Sequence, residues 1–93
     1  MTPTIKHPAI IQFRGNFRKW IDELLPVIER TCGEFYVEKV RGGLDIYVSD
    51  VNEARNAISK IQKIRKAKIR MSTKYAGLRK GRVRVLFVYC LRF

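Results

Sequence analysis

Acidic side chains run out early in this 93-residue chain. Glu53 is the last of them, and the forty positions that follow hold thirteen Lys and Arg with no Asp or Glu. The first fifty-three residues carry seven bases (Lys6, Arg14, Arg18, Lys19, Arg30, Lys39 and Arg41) against eight acids, so the formal charge of +12 belongs almost wholly to the other half. A surface that merely keeps a protein in solution mixes its charges. Charge confined to one half indicates a side that faces a polyanion.

Histidine is nearly missing as well. His7 stands alone, directly before Pro8, and a solvated terminal side chain accounts for it. Asp22 and Glu23 are adjacent, so on a helix they diverge and do not face each other as an acid–base pair would, and a cation-binding pair there is the weaker alternative to two solvated carboxylates. There is no glycine-rich phosphate loop with a lysine, no nucleophile beside a base, and no Cys or His pair at metal spacing. No enzyme, cofactor, metal or small-molecule substrate is therefore expected. Cysteine is limited to Cys32 and Cys90, with no secretory segment before them. Two lone thiols fit a reducing cytoplasm better than a disulfide. No apolar run approaches the ~20 residues that cross a bilayer, so no membrane partner is expected.

What is present is enough for one core. Apolar residues make up 46%, including ten aromatics, too many for a disordered basic tail. Residues 1–93 read as a single basic α+β domain. Ala9–Arg14 is a β-branched run after Pro8, favouring an extended start. Gly15-Asn16 breaks it, with Asn16 as N-cap. Phe17, Trp20, Ile21, Leu24, Leu25 and Ile28 then recur at helical spacing. Pro26 predicts a kink or division of that helix, and Gly33 its stop. Glu34–Val40 and Leu44–Ser49 are β-rich runs joined by Arg41-Gly42-Gly43, a hairpin signal. Asp50 and Glu53 form an acidic capping box. Val51, Ala54, Ala57, Ile58, Ile61 and Ile64 make the buried stripe of a second helix ending near Arg65.

From Ala67 the period changes to two. Ala67, Ile69, Met71, Thr73 and Tyr75 alternate with Lys68, Arg70, Ser72 and Lys74. Residues 76–81 read as a loop. Val83, Val85, Phe87, Tyr89 and Leu91 then alternate with Arg82, Arg84, Leu86, Val88, Cys90 and Arg92. The expected fold is a ferredoxin-like βαββαβ arrangement: an antiparallel sheet, two helices on one face, and a long basic C-terminal β-hairpin.

The bases of this half form the candidate binding site. Lys68, Arg70, Ser72 and Lys74 project from one face of a strand at roughly 6–7 Å intervals, close to the phosphate repeat of a nucleic-acid strand, and the three cations among them are the candidates. Arg79, Lys80, Arg82 and Arg84 continue across the hairpin, and Lys60, Lys63, Arg65 and Lys66 add supporting phosphate contacts at the helix end. Arg14, Arg18 and Arg41 lie among acids and should matter less. No helix-turn-helix, zinc finger or basic zipper is present, so structured RNA is favoured over DNA. Tyr36, Tyr47 and Tyr75 are candidates for base stacking, although packing within the sheet is the simpler role. The strand Gly43-Leu44-Asp45-Ile46-Tyr47-Val48 lacks the doubled aromatics of an RNA-recognition motif.

Three strings carry a further resemblance: Ala9-Ile10-Ile11-Gln12-Phe13-Arg14, Gly42-Gly43-Leu44-Asp45-Ile46-Tyr47-Val48-Ser49, and Ser72-Thr73-Lys74 before the last strand. In this order and spacing, with Ala54 in the intervening helix, they resemble the central module of the large-ribosomal-subunit nuclear-export adaptor family. That family was first named for nonsense-mediated decay and has archaeal members. Ile46 stands where the family usually has phenylalanine. The paired-cysteine zinc modules and the SH3-like and OB-like modules of the family have no counterpart in these residues, so the chain reads as the central module, expected to stand alone. The resemblance implies association with the large ribosomal subunit, not export activity.

The expected function is rRNA binding on that subunit, beside neighbouring ribosomal proteins, as a small ribosomal protein or an assembly or accessory factor in the cytoplasm. The alternatives are a nucleic-acid chaperone or chromatin-type protein that coats DNA or RNA, and a protein adaptor using Leu86, Val88 and Cys90 if these are exposed.

Overall fold

The structure is a computed structural model describing residues 8–79 and 82–93, with side chains described for 8–74 and 85–93. Strand β1 (Ala9–Arg14) leads through a short 3-10 helix (Phe17–Trp20) into helix α1 (Ile21–Thr31). Strands β2 (Phe35–Val40) and β3 (Gly43–Val48) precede helix α2 (Val51–Ile64), and β4 (Lys68–Arg79) and β5 (Arg82–Arg92) complete the fold.

The five strands form one sheet in the order β2-β3-β1-β5-β4. The all-antiparallel ferredoxin-like sheet expected from the sequence does not hold. β5 lies parallel to β1, while the pairs β1–β3, β2–β3 and β4–β5 are antiparallel, so the sheet is mixed. The last strand enters between β1 and β4 and pushes β4 to the edge. Side-chain chemistry explains the choice. Along β5, apolar residues occupy both alternations (Phe87, Tyr89 and Leu91; Leu86, Val88 and Cys90), which suits an interior strand covered on two sides. On β4 one alternation is Lys68, Arg70, Ser72 and Lys74, the charged pattern that protects an edge. The segment 76–79, expected to be loop, continues β4, with a register irregularity between Tyr75 and Gly77.

Register defines the two sides of the sheet. Ala9, Ile11 and Phe13 pair with Val48, Ile46 and Leu44 on one flank and with Phe87, Tyr89 and Leu91 on the other. Most of these join one buried cluster with Phe17, Leu24, Ile28, Cys32, Ala54, Ala57, Ile58 and Ile61. Both helices therefore pack on this side. Full burial of a large aliphatic or aromatic side chain stabilises by about 1.5–3 kcal/mol, so this cluster supplies most of the driving force. Ile64, predicted to belong to the buried stripe, is 41% exposed because it closes α2 beyond the area the sheet covers.

Local signals held in part. The loop Arg41-Gly42 closes the β2–β3 hairpin with Gly42 at φ +74°, a conformation that disfavours a side chain. Asp50 caps α2 by accepting from the Asn52 and Glu53 N–H groups at 2.7 and 3.2 Å. The other half of the expected capping box differs: Glu53 accepts the Gly33 N–H at 3.0 Å and so ties the end of α1 to the start of α2. Gly33 ends α1 without left-handed geometry, since Cys32 is already extended at the C-cap. Pro26 sits inside an unbroken α1; the division falls earlier, at the 3-10-to-α junction after Trp20. Asn16 occupies the cap position of the 3-10 helix without a side-chain cap bond. Its N–H instead donates to the Phe93 carbonyl at 3.2 Å.

Candidate nucleic-acid interface

The site is built on the side of the sheet away from the helices. Alternation and register place Lys68 beside Arg92, Arg70 beside Cys90, Ser72 beside Val88, and Lys74 beside Leu86. Directly paired residues share a face with Cβ atoms roughly 5 Å apart. The next strand continues these rows with Arg14, Gln12 and Ile10. Lys68, Ile69, Arg70, Cys90 and Arg92 line a hollow of about 600 Å³. A neighbouring hollow of about 460 Å³ shares Lys68 and Arg92 and adds Lys66, Ala67 and Phe93. Among the described residues, none of Lys66, Lys68, Arg70, Lys74 and Arg92 is in an ion pair.

The face is polarised across its width. Arg14 is held at 2.9 Å from Asp45 in a largely buried contact, and the same Arg14 nitrogen donates to the Phe13 carbonyl at 2.9 Å. Asp45 thus neutralises the cation nearest the sheet centre. Farther out, Tyr36 and Tyr47 stack with ring centroids 4.6 Å apart and planes within 6°. The Tyr47 hydroxyl donates to Glu38 at 3.3 Å. Burial, and then the Glu38 carboxylate, raise the Tyr47 hydroxyl above the ordinary phenol pKa. The two rings stack on each other, as expected for packing within the sheet. The positive half of the face is left to β4 and β5.

The predicted basic residues separate into groups. Lys66, Lys68, Arg70 and Lys74 are exposed, and all but Lys74 line the two hollows just described. Lys60 and Lys63 are exposed on α2, on the opposite side of the sheet, and Lys60 donates to Thr31 Oγ1 at 3.4 Å. They do not extend the strip. Arg65 is engaged internally, its guanidinium 3.7 Å from the Trp20 ring centroid and 3.5 Å from Glu23. Arg79, Arg82 and Arg84 lie in strands, Arg79 opposite Arg82 and Arg84 opposite Gly77; their side chains, and Lys80 altogether, lie outside the described residues. Arg92 was missed among the site residues, although the period that groups it with Arg82 and Arg84 was visible in the sequence. The adaptor strip expected at Leu86, Val88 and Cys90 is not exposed: Val88 is buried and the other two are half-buried. Both cysteines are free thiols. Among the described residues no group of His, Cys, Asp and Glu is placed to hold a metal ion.

The chain thus carries a basic strand face on a mixed α+β sheet. Residues 6–93 match the family model described as NMD3, second domain, and the chain belongs to that family. Membership implies association with the large ribosomal subunit. A comparison with curated proteins finds no match.

Proposed function

We propose that this chain is a non-enzymatic, cytoplasmic RNA-binding protein that holds rRNA of the large subunit against the β4–β5 face. It acts there as a small ribosomal protein or as an assembly or accessory factor. Lys66, Lys68, Arg70, Lys74 and Arg92 contact phosphates, and Arg79, Lys80, Arg82 and Arg84 extend the same contact along the basic hairpin.

The observation that carries this reading is the hollow between β4 and β5, where three cations converge without acidic partners among the described residues. Such a cluster is self-repulsive in the free protein and is relieved by a polyanion. Family membership, with the large-subunit association it implies, supports rRNA as that polyanion. Sedimentation through a sucrose gradient tests it: the native protein should travel with large subunits in low salt. A protein that stays at the top of the gradient would sink the proposal. Retention in high salt would favour an integral ribosomal protein over a loosely held factor.

A further inference from the structure

A second surface lies on the other side of β4. Ile69 and Met71 pair with Leu91 and Tyr89 and therefore point to the helix side. α2 packs over β1 and β3, and among the described residues of β4 Ile69 is 46% and Met71 55% exposed. Ile64, at the end of α2, is exposed near the start of the same strand. β4 is also the terminal strand of the sheet. Its outer edge therefore offers unpaired backbone groups between an apolar row on one side and a basic row on the other.

We propose that the β4 edge from Lys68 to Lys74 is a docking site for an extended, acidic segment of another protein, added to the sheet as a sixth strand. Main-chain hydrogen bonds to an exposed edge supply affinity, and alternating side chains supply selectivity. The complementary segment alternates apolar residues, which cover Ile69 and Met71, with Glu or Asp, which meet Lys68, Arg70 and Lys74. Opposite charges directly across a strand pair are stabilising and like charges destabilising. That excludes a second copy of this chain as occupant, since two β4 edges would set Lys and Arg against Lys and Arg. A phosphate backbone has nothing to place on Ile69 and Met71, so RNA does not account for the apolar row. RNA and the segment compete for the basic row, and the apolar contact distinguishes them. The proposal holds whether or not the opposite face binds RNA.

The test uses the full chain and a short synthetic peptide alternating valine and glutamate, with a scrambled peptide and an RNA duplex as parallel arms. Binding is followed by NMR amide exchange and cross-strand contacts. The alternating peptide should bind saturably and protect the outward-facing amides of Lys68–Lys74, which the scrambled peptide should not. Ile69→Ser and Met71→Ser should each weaken the peptide roughly ten- to hundredfold, the scale expected when a buried apolar contact is lost, and Met71→Ser, which lies outside the basic hollow, should leave RNA affinity unchanged. Both residues are half-exposed, so two independent variants guard against misfolding. Arg70→Glu should abolish peptide binding. Peptide affinity indifferent to both serine variants, protection elsewhere on the chain, or equal protection of the edge by RNA would each overturn the proposal. So would sedimentation as a dimer that leaves the edge unavailable to the peptide.

Discussion

Removing Lys68, Arg70 and Arg92 together tests the interface most directly. All three line one hollow and lack acidic partners among the described residues, so their replacement by alanine breaks no ion pair. Each phosphate neutralised contributes about 0.9 to the slope of log affinity against log salt. Between 1 M and a physiological ionic strength of about 0.15 M, that amounts to roughly fivefold in affinity per contact. If every one of the three meets a phosphate, the triple variant loses on the order of 150-fold, about 3 kcal/mol, and its salt slope falls by nearly three. Fluorescence anisotropy with a structured rRNA fragment over a range of salt concentrations measures both quantities. Lys60→Ala with Lys63→Ala is the control, because those residues lie on the helix side; it should leave the slope within about half a unit of the parent. Thermal unfolding should show both variants folded, since surface substitutions usually change stability by less than about 0.5 kcal/mol. An unchanged slope in the folded triple variant, or an equal loss in the control, would refute the assignment of the face.

Three further outcomes follow from the packing. Gly15 has φ +77°, and a Cβ there would meet the Phe93 carbonyl oxygen; Gly15→Ala should cost about 2–3 kcal/mol, read as a lower denaturant midpoint. Arg65→Ala should lower stability by about 1 kcal/mol through loss of the Trp20 contact, Arg65→Lys should restore it only in part, and neither should alter the RNA salt slope. Burial, then Glu53 and Asp50, raise the Cys32 thiol pKa from 9.0 to about 11. Above pH 9 the unfolded thiol loses a proton that the folded one keeps, so this contribution to stability is intact below pH 9 and is lost as pH rises to about 11. Cys32→Ala should therefore show a shallower decline than the parent in chemical denaturation across that window, and identical declines would disprove the role of the thiol.

The local elements were legible because their causes are local. Helical spacing marked the stripe that includes Leu24, Ile28, Ala54, Ala57, Ile58 and Ile61, all buried. Asp50 announced the start of α2, and Gly42 the β2–β3 turn. Period two placed Lys68, Arg70 and Lys74 on one face before any tertiary contact was known, because successive side chains of a strand alternate sides whatever it pairs with. The charge asymmetry was likewise a property of the chain, and it singled out the half that carries the proposed interface. Pairing partners were another matter. Nothing within β5 says that it lies parallel to β1; that depends on which arrangement buries Phe87, Tyr89 and Leu91 under the helices, a comparison between whole sheets. The same choice made β4 the edge, left Ile69 and Met71 uncovered, brought Arg92 beside Lys68, and put Lys60 and Lys63 on the opposite side from the strip they were expected to join. Arg65 shows the limit most plainly: its charge was visible in the sequence, but its engagement by Trp20 and Glu23 arises only when residues more than forty positions away pack against it. Sequence alone determined the periodicities and the charge, because these act between near neighbours. Strand order and the composition of each face were decided by the tertiary structure, because burial is shared by the whole chain at once.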